Sequence, residues 1–260
     1  MFCAISTACL YPLETEKSLT ALLKLGFREF EVFANCESEF SGAFISRLTA
    51  ILKPYGAHVY SMHLYTSGFE PFMFFSNYIR RFNESVTQYE RYFENAARLG
   101  AKTVVFHGDR RDGQISLEEY CERFSILSDK ACGCGVILAQ ENVSRCRSAT
   151  VDAVRGMKRL LGSHIRFVLD VKQALRAGES PLDMCDAMGE NIACVHLSDS
   201  DPQKDCLLPG NGTFDLAGFC SRLNKYSFDG PLTIEVYRND FKSFSELLAA
   251  LRFVTKAINL

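Results

Sequence analysis

Leu99–His107 reads LGAKTVVFH, and Leu25–Phe33 reads LGFREFEVF. Each begins at the last of a series of apolar residues spaced by three or four, passes through a glycine and ends in a short apolar run. A glycine just past a helix adopts the left-handed turn that closes it, so Gly26 and Gly100 mark helix ends. Consecutive apolar positions such as Thr103-Val104-Val105-Phe106 suit a strand covered on both faces, as in a parallel sheet. The unit is therefore helix, turn, strand.

Working outward, the same unit recurs. Candidate strands are Phe2–Ala8, Glu29–Phe33, His58–His63, Thr103–His107, Val136–Glu141, Ile165–Asp170, Ile192–His196 and Leu232–Val236. Amphipathic helical spacing follows almost every run. Ile79, Phe82, Val86, Tyr89, Phe93, Ala96 and Leu99 form one stripe, and Phe244, Leu247, Leu248, Leu251, Val254 and Ile258 form another. Eight units in 260 residues average about 32 residues each, near the ~30 of a strand–helix–strand repeat. The expected fold is a single α/β domain over 1–260, a (β/α)8 TIM barrel. Its rival, an open doubly wound sheet, usually carries a glycine-rich phosphate loop after the first strand; here that segment is Ser6–Tyr11, without glycine. Thr66–Asn77 (TSGFEPFMFFSN) is the longest irregular stretch and holds four of the 21 phenylalanines. It reads either as a loop packed on the barrel or as an apolar wall over its mouth.

From the second strand on, each run carries a histidine or carboxylate near its C-terminal end: Glu31, His63, His107, Glu141, Asp170, His196 and Glu235. Parallel barrels build their active sites at that end. The other two histidines, His58 and His164, fall outside this series and read as structural or surface residues. Clustered carboxylates raise each other's pKa and need compensation, which a divalent cation supplies. Three carboxylates and one imidazole suit Mn²⁺, Mg²⁺, Co²⁺ or Zn²⁺ without selecting firmly among them. No organic cofactor is expected. Arg110, Arg111, Arg145, Arg147, Lys172, Lys204 and Arg238 lie near the expected mouth; most read as solvated, with one or two available for an anionic group. Gly210-Asn211-Gly212 reads as a turn.

These segments together resemble the xylose isomerase-like TIM-barrel superfamily, which includes sugar isomerases and epimerases and the endonuclease IV enzymes. The resemblance rests on FEVF with Glu31, SMHLY with His63, LGAKTVVFHGD with His107, LAQENVS with Glu141 and Asn142, FVLDVKQALRAG with Asp170, VHLSDS with His196, LLPGNGTFD, and PLTIEVY with Glu235. It implies one divalent metal held by Glu141, Asp170, His196 and Glu235. Glu141 and Glu235 double as acid and base in an enediolate mechanism on a small carbohydrate-like substrate. His63, His107, Gln173 and Arg238 are expected to contact that substrate. By comparison with endonuclease IV, His63 and His107 are also candidates for a second metal. The third zinc set of those enzymes is broken here. Gln173 stands where they have a histidine, and the stretch around Asp205 contains none. The expected activity is a metal-dependent isomerase or epimerase of a sugar, sugar phosphate or keto-polyol. A di-metal phosphoesterase and a non-catalytic metabolite-binding barrel are the alternatives.

Composition narrows the field. Net charge is −2, which argues against a nucleic-acid partner. No stretch approaches the ~18 apolar residues of a membrane span, so no membrane partner is expected. Eleven cysteines, an odd and scattered number, do not form a disulfide framework. Reduced thiols and the lack of a basic N-terminal leader imply a cytoplasmic chain. A homo-oligomer is compatible with all of this.

Overall fold

The eight apolar runs become eight strands in the computed structural model, which describes residues 1–259. They are β1 (Phe2–Ser6), β2 (Glu29–Phe33), β3 (His58–His63), β4 (Thr103–Phe106), β5 (Ile137–Glu141), β6 (Arg166–Asp170), β7 (Ile192–Leu197) and β8 (Pro231–Ile234). Each pairs in parallel with its sequence neighbour. β1 also pairs with β8, Cys3 opposite Leu232 and Ile5 opposite Ile234. The sheet is therefore closed, and the fold is a single (β/α)8 barrel. The expected runs for β1, β4 and β8 overshoot the strands by one or two residues at their C-terminal ends, so His107 and Glu235 stand just past the ends of β4 and β8.

Helices surround the sheet: α1 (Thr15–Lys24), α2 (Gly42–Leu52), α3 (Glu70–Phe74), α4 (Ile79–Leu99), α5 (Leu117–Gly133), α6 (Val151–Leu161), α7 (Val171–Arg176), α8 (Pro181–Met188), α9 (Leu216–Lys225) and α10 (Phe244–Ile258). Gly26 and Gly100 have φ of +102° and +93°, the left-handed turns their positions predict. Phe82, Val86, Tyr89, Phe93 and Ala96 of α4 are buried, as are Leu247 and Val254 of α10. Ile79 and Phe244 stand exposed, because each begins its helix and overhangs the sheet.

Alternation divides the strands. Phe30, Val32, Val104, Phe106, Leu138, Phe167, Leu169, Val195, Leu232 and Ile234 face the helices and join one large core. Val105, Ala139, Val168 and Cys194 point the other way and form a separate small cluster within the barrel. Two register slips re-aim side chains. Between β2 and β3 one extra residue, Tyr60, brings Glu31 level with Ser61. Between β6 and β7 the extra residue is Ala193, and Asp170 comes level with His196.

The 66–77 segment is more ordered than expected. Tyr65–Gly68 is a 3-10 turn, and α3 follows with Pro71 in its first turn. Phe74 and Phe75 are core residues, whereas Phe69 and Phe72 are about 60% exposed. The phenylalanines thus split between core and solvent instead of forming one wall. The anchor is a carboxylate. Glu70, fully buried, accepts from the backbone N–H of His107 (2.8 Å) and Gly108 (2.7 Å) and from the Tyr89 hydroxyl (3.0 Å).

Candidate metal centre and active site

At the C-terminal mouth, one ligand atom from each of Glu141, Asp170, His196 and Glu235 lies within 4.8 Å of the others. His196 Nδ1 is 3.3 Å from Glu141, 3.5 Å from Glu235 and 3.9 Å from Asp170. Below this layer, His196 Nε2 meets Glu31 at 2.9 Å, and the Ser61 hydroxyl donates to the same oxygen at 2.8 Å. Glu31 therefore sits under the ligand set. Asn142 ties β5 to β6, its Oδ1 accepting from Asp170 N (2.7 Å) and its Nδ2 donating to Asp170 O (3.0 Å).

Charge sets the ionisation of the cluster. Burial opposes a charge on Glu141, but His107, His196 and His63 outweigh it and hold the carboxyl well below its ordinary range. Burial also opposes a charge on Glu235, and Lys172 and His196 overcome it, bringing that group to about 2. At Asp170 burial prevails, with Glu141 and Glu235 adding to it against Lys172, and the group rises to about 7. Burial disfavours a cationic His196, yet Glu31 and Glu235 keep it charged well above the usual imidazole range. The set is thus acidic and buried. Glu141 Oε2 faces His107 Nε2 at 2.8 Å and Asp170 Oδ2 faces Lys172 Nζ at 3.3 Å, so the three carboxylates share few compensating charges. The convergent donor set of three carboxylates and one imidazole fits a divalent cation.

Lys172 is the residue the sequence misplaces. It reads there as one of several solvated rim cations, but it is buried. Its Nζ lies 2.9 Å from Glu235 Oε2 and 3.3 Å from Asp170 Oδ2. Lying two residues after Asp170 in the first turn of α7, it is carried back over the mouth.

His63 and His107 also converge. Their Nε2 atoms are 2.9 Å apart, and His107 Nε2 is 2.8 Å from Glu141 Oε2. These three side chains form a second possible cation set. Arg145 Nη2 approaches His107 Nδ1 at 3.4 Å. A guanidinium has no lone pair, so that nitrogen is the acceptor and the proton of a neutral His107 sits on Nε2. Burial keeps His107 neutral by lowering its pKa.

A cavity of about 480 Å³ opens above these residues. Tyr11, Phe33 and Tyr65 form its aromatic side, and Arg145, Lys172 and Gln173 lie on its polar side. Gln173 Oε1 accepts from both the N–H (3.0 Å) and the hydroxyl (2.9 Å) of Ser144. Arg238 is not in this wall; it is exposed and donates to Phe241 O at 3.0 Å. His58 is exposed beside Glu29, and His164 ends a short 3-10 turn. Asp205 is paired with Arg176. The Gly210–Gly212 turn wraps the buried carboxylate of Asp199, which accepts from the backbone N–H of Gly210, Gly212 and Phe214. Those N–H groups are therefore committed within the turn. All eleven cysteines are free thiols.

Comparison with known proteins agrees with this architecture. A family model described as xylose isomerase-like TIM barrel matches residues 19–256. An uncharacterized protein of Mycobacterium leprae is 28% identical over 93% of this chain and 91% of its own length. A 3-dehydroshikimate dehydratase of Pseudomonas aeruginosa is 25% identical over 92% of this chain, which spans 38% of that enzyme. The structure of D-psicose 3-epimerase from Clostridium cellulolyticum H10 superposes with a TM-score of 0.82 at 15% identity, covering 99% of both chains.

Proposed function

Because the chain belongs to the xylose isomerase-like TIM barrel family, we propose that it is a metal-dependent epimerase or isomerase of a small sugar-like ketone, using Glu141 and Glu235 for proton transfer. The observation that carries this reading is the convergence of Glu141, Asp170, His196 and Glu235 at the buried mouth of the barrel. A divalent cation bound there would supply electrophilic polarisation of a carbonyl and its neighbouring hydroxyl. The chain's own residues do the rest. Both glutamates are held ionised, ready to accept a proton from the carbon beside the carbonyl. One takes that proton, leaving an enediolate. It then returns the proton to the former carbonyl carbon while the hydroxyl proton passes to the former carbonyl oxygen, or the opposite glutamate, protonated in exchange with solvent, delivers one to the other face of the original carbon. Lys172 keeps Glu235 ionised. Tyr11, Phe33 and Tyr65 shield one side of the cavity from water.

The Arg145–His107 contact favours one metal over two. A cation on His107 Nε2 would move that ring's proton to Nδ1, against the guanidinium. This argues against the di-metal phosphoesterase. Elimination of water from the same enediolate is the second reading, favoured by the relation to the P. aeruginosa dehydratase.

The test is solvent exchange. Mn²⁺-loaded protein in D₂O should introduce deuterium beside the carbonyl of a ketose. Glu141→Gln and Glu235→Gln should each slow exchange by about 10²- to 10⁴-fold, with bound metal measured in parallel. Binding that persists in both variants while no ketose exchanges would instead indicate a non-catalytic barrel. Cleavage of abasic-site DNA would promote the phosphoesterase.

A further inference from the structure

Two cations line the reaction cavity, and they are not equivalent. Lys172 is neutralised by Asp170 and Glu235. Arg145 has no carboxylate within 4 Å among the described residues, although its neighbours do: Arg110 pairs with Asp112 and Arg147 with Asp109. Its main chain is fixed. Arg145 O accepts from Arg111 N at 3.0 Å, and Cys146 forms an antiparallel bridge with Arg110. The side chain is exposed at the edge of the cavity and makes a single long contact, to His107, so most of its five donors are open to solvent or to a ligand there.

Gln173 supplies an independent second observation. Its Oε1 accepts from the backbone N–H of Ser144, a group that can only donate, so the orientation of the amide is settled by chemistry. The amide nitrogen is the end left for the cavity, beside the residue that precedes Arg145. The polar wall thus presents donors: a guanidinium fork and an amide NH₂. A ligand group that accepts from both and donates to neither is an oxyanion, and the two oxygens of a carboxylate match the fork.

We propose that Arg145 and Gln173 form a carboxylate subsite, so that the substrate is a sugar acid carrying its carboxylate on the β5–β6 side of the mouth. One imidazole ring, that of His107, separates this subsite from Glu141. The acid group is therefore close to the reacting carbons. The inference rests on the enediolate reading for the rest of the substrate.

The experiment is calorimetric titration of Mn²⁺-loaded protein with D-fructose, D-fructuronate and D-fructose 6-phosphate. Fructuronate should bind about tenfold or more tightly than fructose, as expected for charge-assisted hydrogen bonds. Arg145→Gln should collapse that ratio towards one, and Arg145→Lys, which keeps charge without the fork, should leave it intermediate. Retained metal content and circular dichroism would show that each variant is folded. Equal binding of fructose and fructuronate, an unchanged ratio in Arg145→Gln, or a preference for the 6-phosphate would each overturn the subsite. The two readings fail separately. Absence of deuterium exchange with every ketose counts against the enediolate reading and leaves the binding ratio standing. Equal binding counts against the subsite and leaves exchange standing.

Discussion

The two ring nitrogens of His196 face opposite environments. Nδ1 looks up at three carboxylates, while Nε2 looks down at Glu31. Once a cation displaces the Nδ1 proton, a proton held on Nε2 by Glu31 would leave the Nδ1 lone pair aimed into the ligand set, and such supporting carboxylates tune metal affinity. Glu31→Gln should therefore weaken Mn²⁺ binding by about 10- to 100-fold with all four ligands intact, as read by titration of chelator-stripped protein. An unchanged affinity would mean that Glu31 only fills space. In the sequence Glu31 looks like one more strand-end residue, in phase with His63 and Glu141. Its lower position depends on the Tyr60 slip, which no local pattern announces. Lys172 was hidden for a related reason: a lysine after a strand reads as solvated until two carboxylates from other strands are placed against it.

At the scale of an element, α3 behaves as a latch. Its Glu70 ties the segment between β3 and α4 to the turn after β4, the turn that carries His107. Burial pushes Glu70 up to about 8, against the hydrogen bonds from Gly108, Tyr89 and His107. The unfolded chain has an ordinary carboxyl, near 4.5. Between these values the folded state binds more protons than the unfolded one, so stability falls as pH rises through this window. Relative to Glu70→Gln, wild type should lose a few kcal/mol, an order-of-magnitude figure, between about pH 5 and 8. Urea midpoints of the two proteins across that range measure it, and parallel curves would show that Glu70 is not titrating there. The sequence conceals α3 because five residues with a proline second among them give no helical period. The long helices were legible: α4 and α10 have enough turns for their apolar stripes to stand out, and Gly100 marks the end of α4.

The whole molecule depends on closure between β1 and β8. In an open sheet β1 would have a free edge; here Ala4 is fully buried and lies level with Thr233 of β8, while Ile5 pairs across to both β8 and β2. Ala4→Pro removes a backbone donor from a strand paired on both sides, at a cost of about 3 kcal/mol or more. The expected result is loss of the cooperative urea transition and of the near-UV circular dichroism signal. A wild-type midpoint would contradict closure. Closure was legible as the count and spacing of the repeats, because eight units with chemistry at one end of each strand suit a ring better than a row. The alternation noted earlier reaches further. Outward residues such as Phe106 and Leu169 join the large core, and inward neighbours such as His107 and Asp170 carry the site. The small Val105–Ala139–Val168–Cys194 cluster, with Ala193 against it, is the apolar packing inside the barrel. Stability and chemistry are thus written on alternate letters of the same strands. Substitutions on the two faces should combine nearly independently wherever they are far enough apart not to touch. A barrel of this kind can exchange one reaction for another without first having to learn again how to fold.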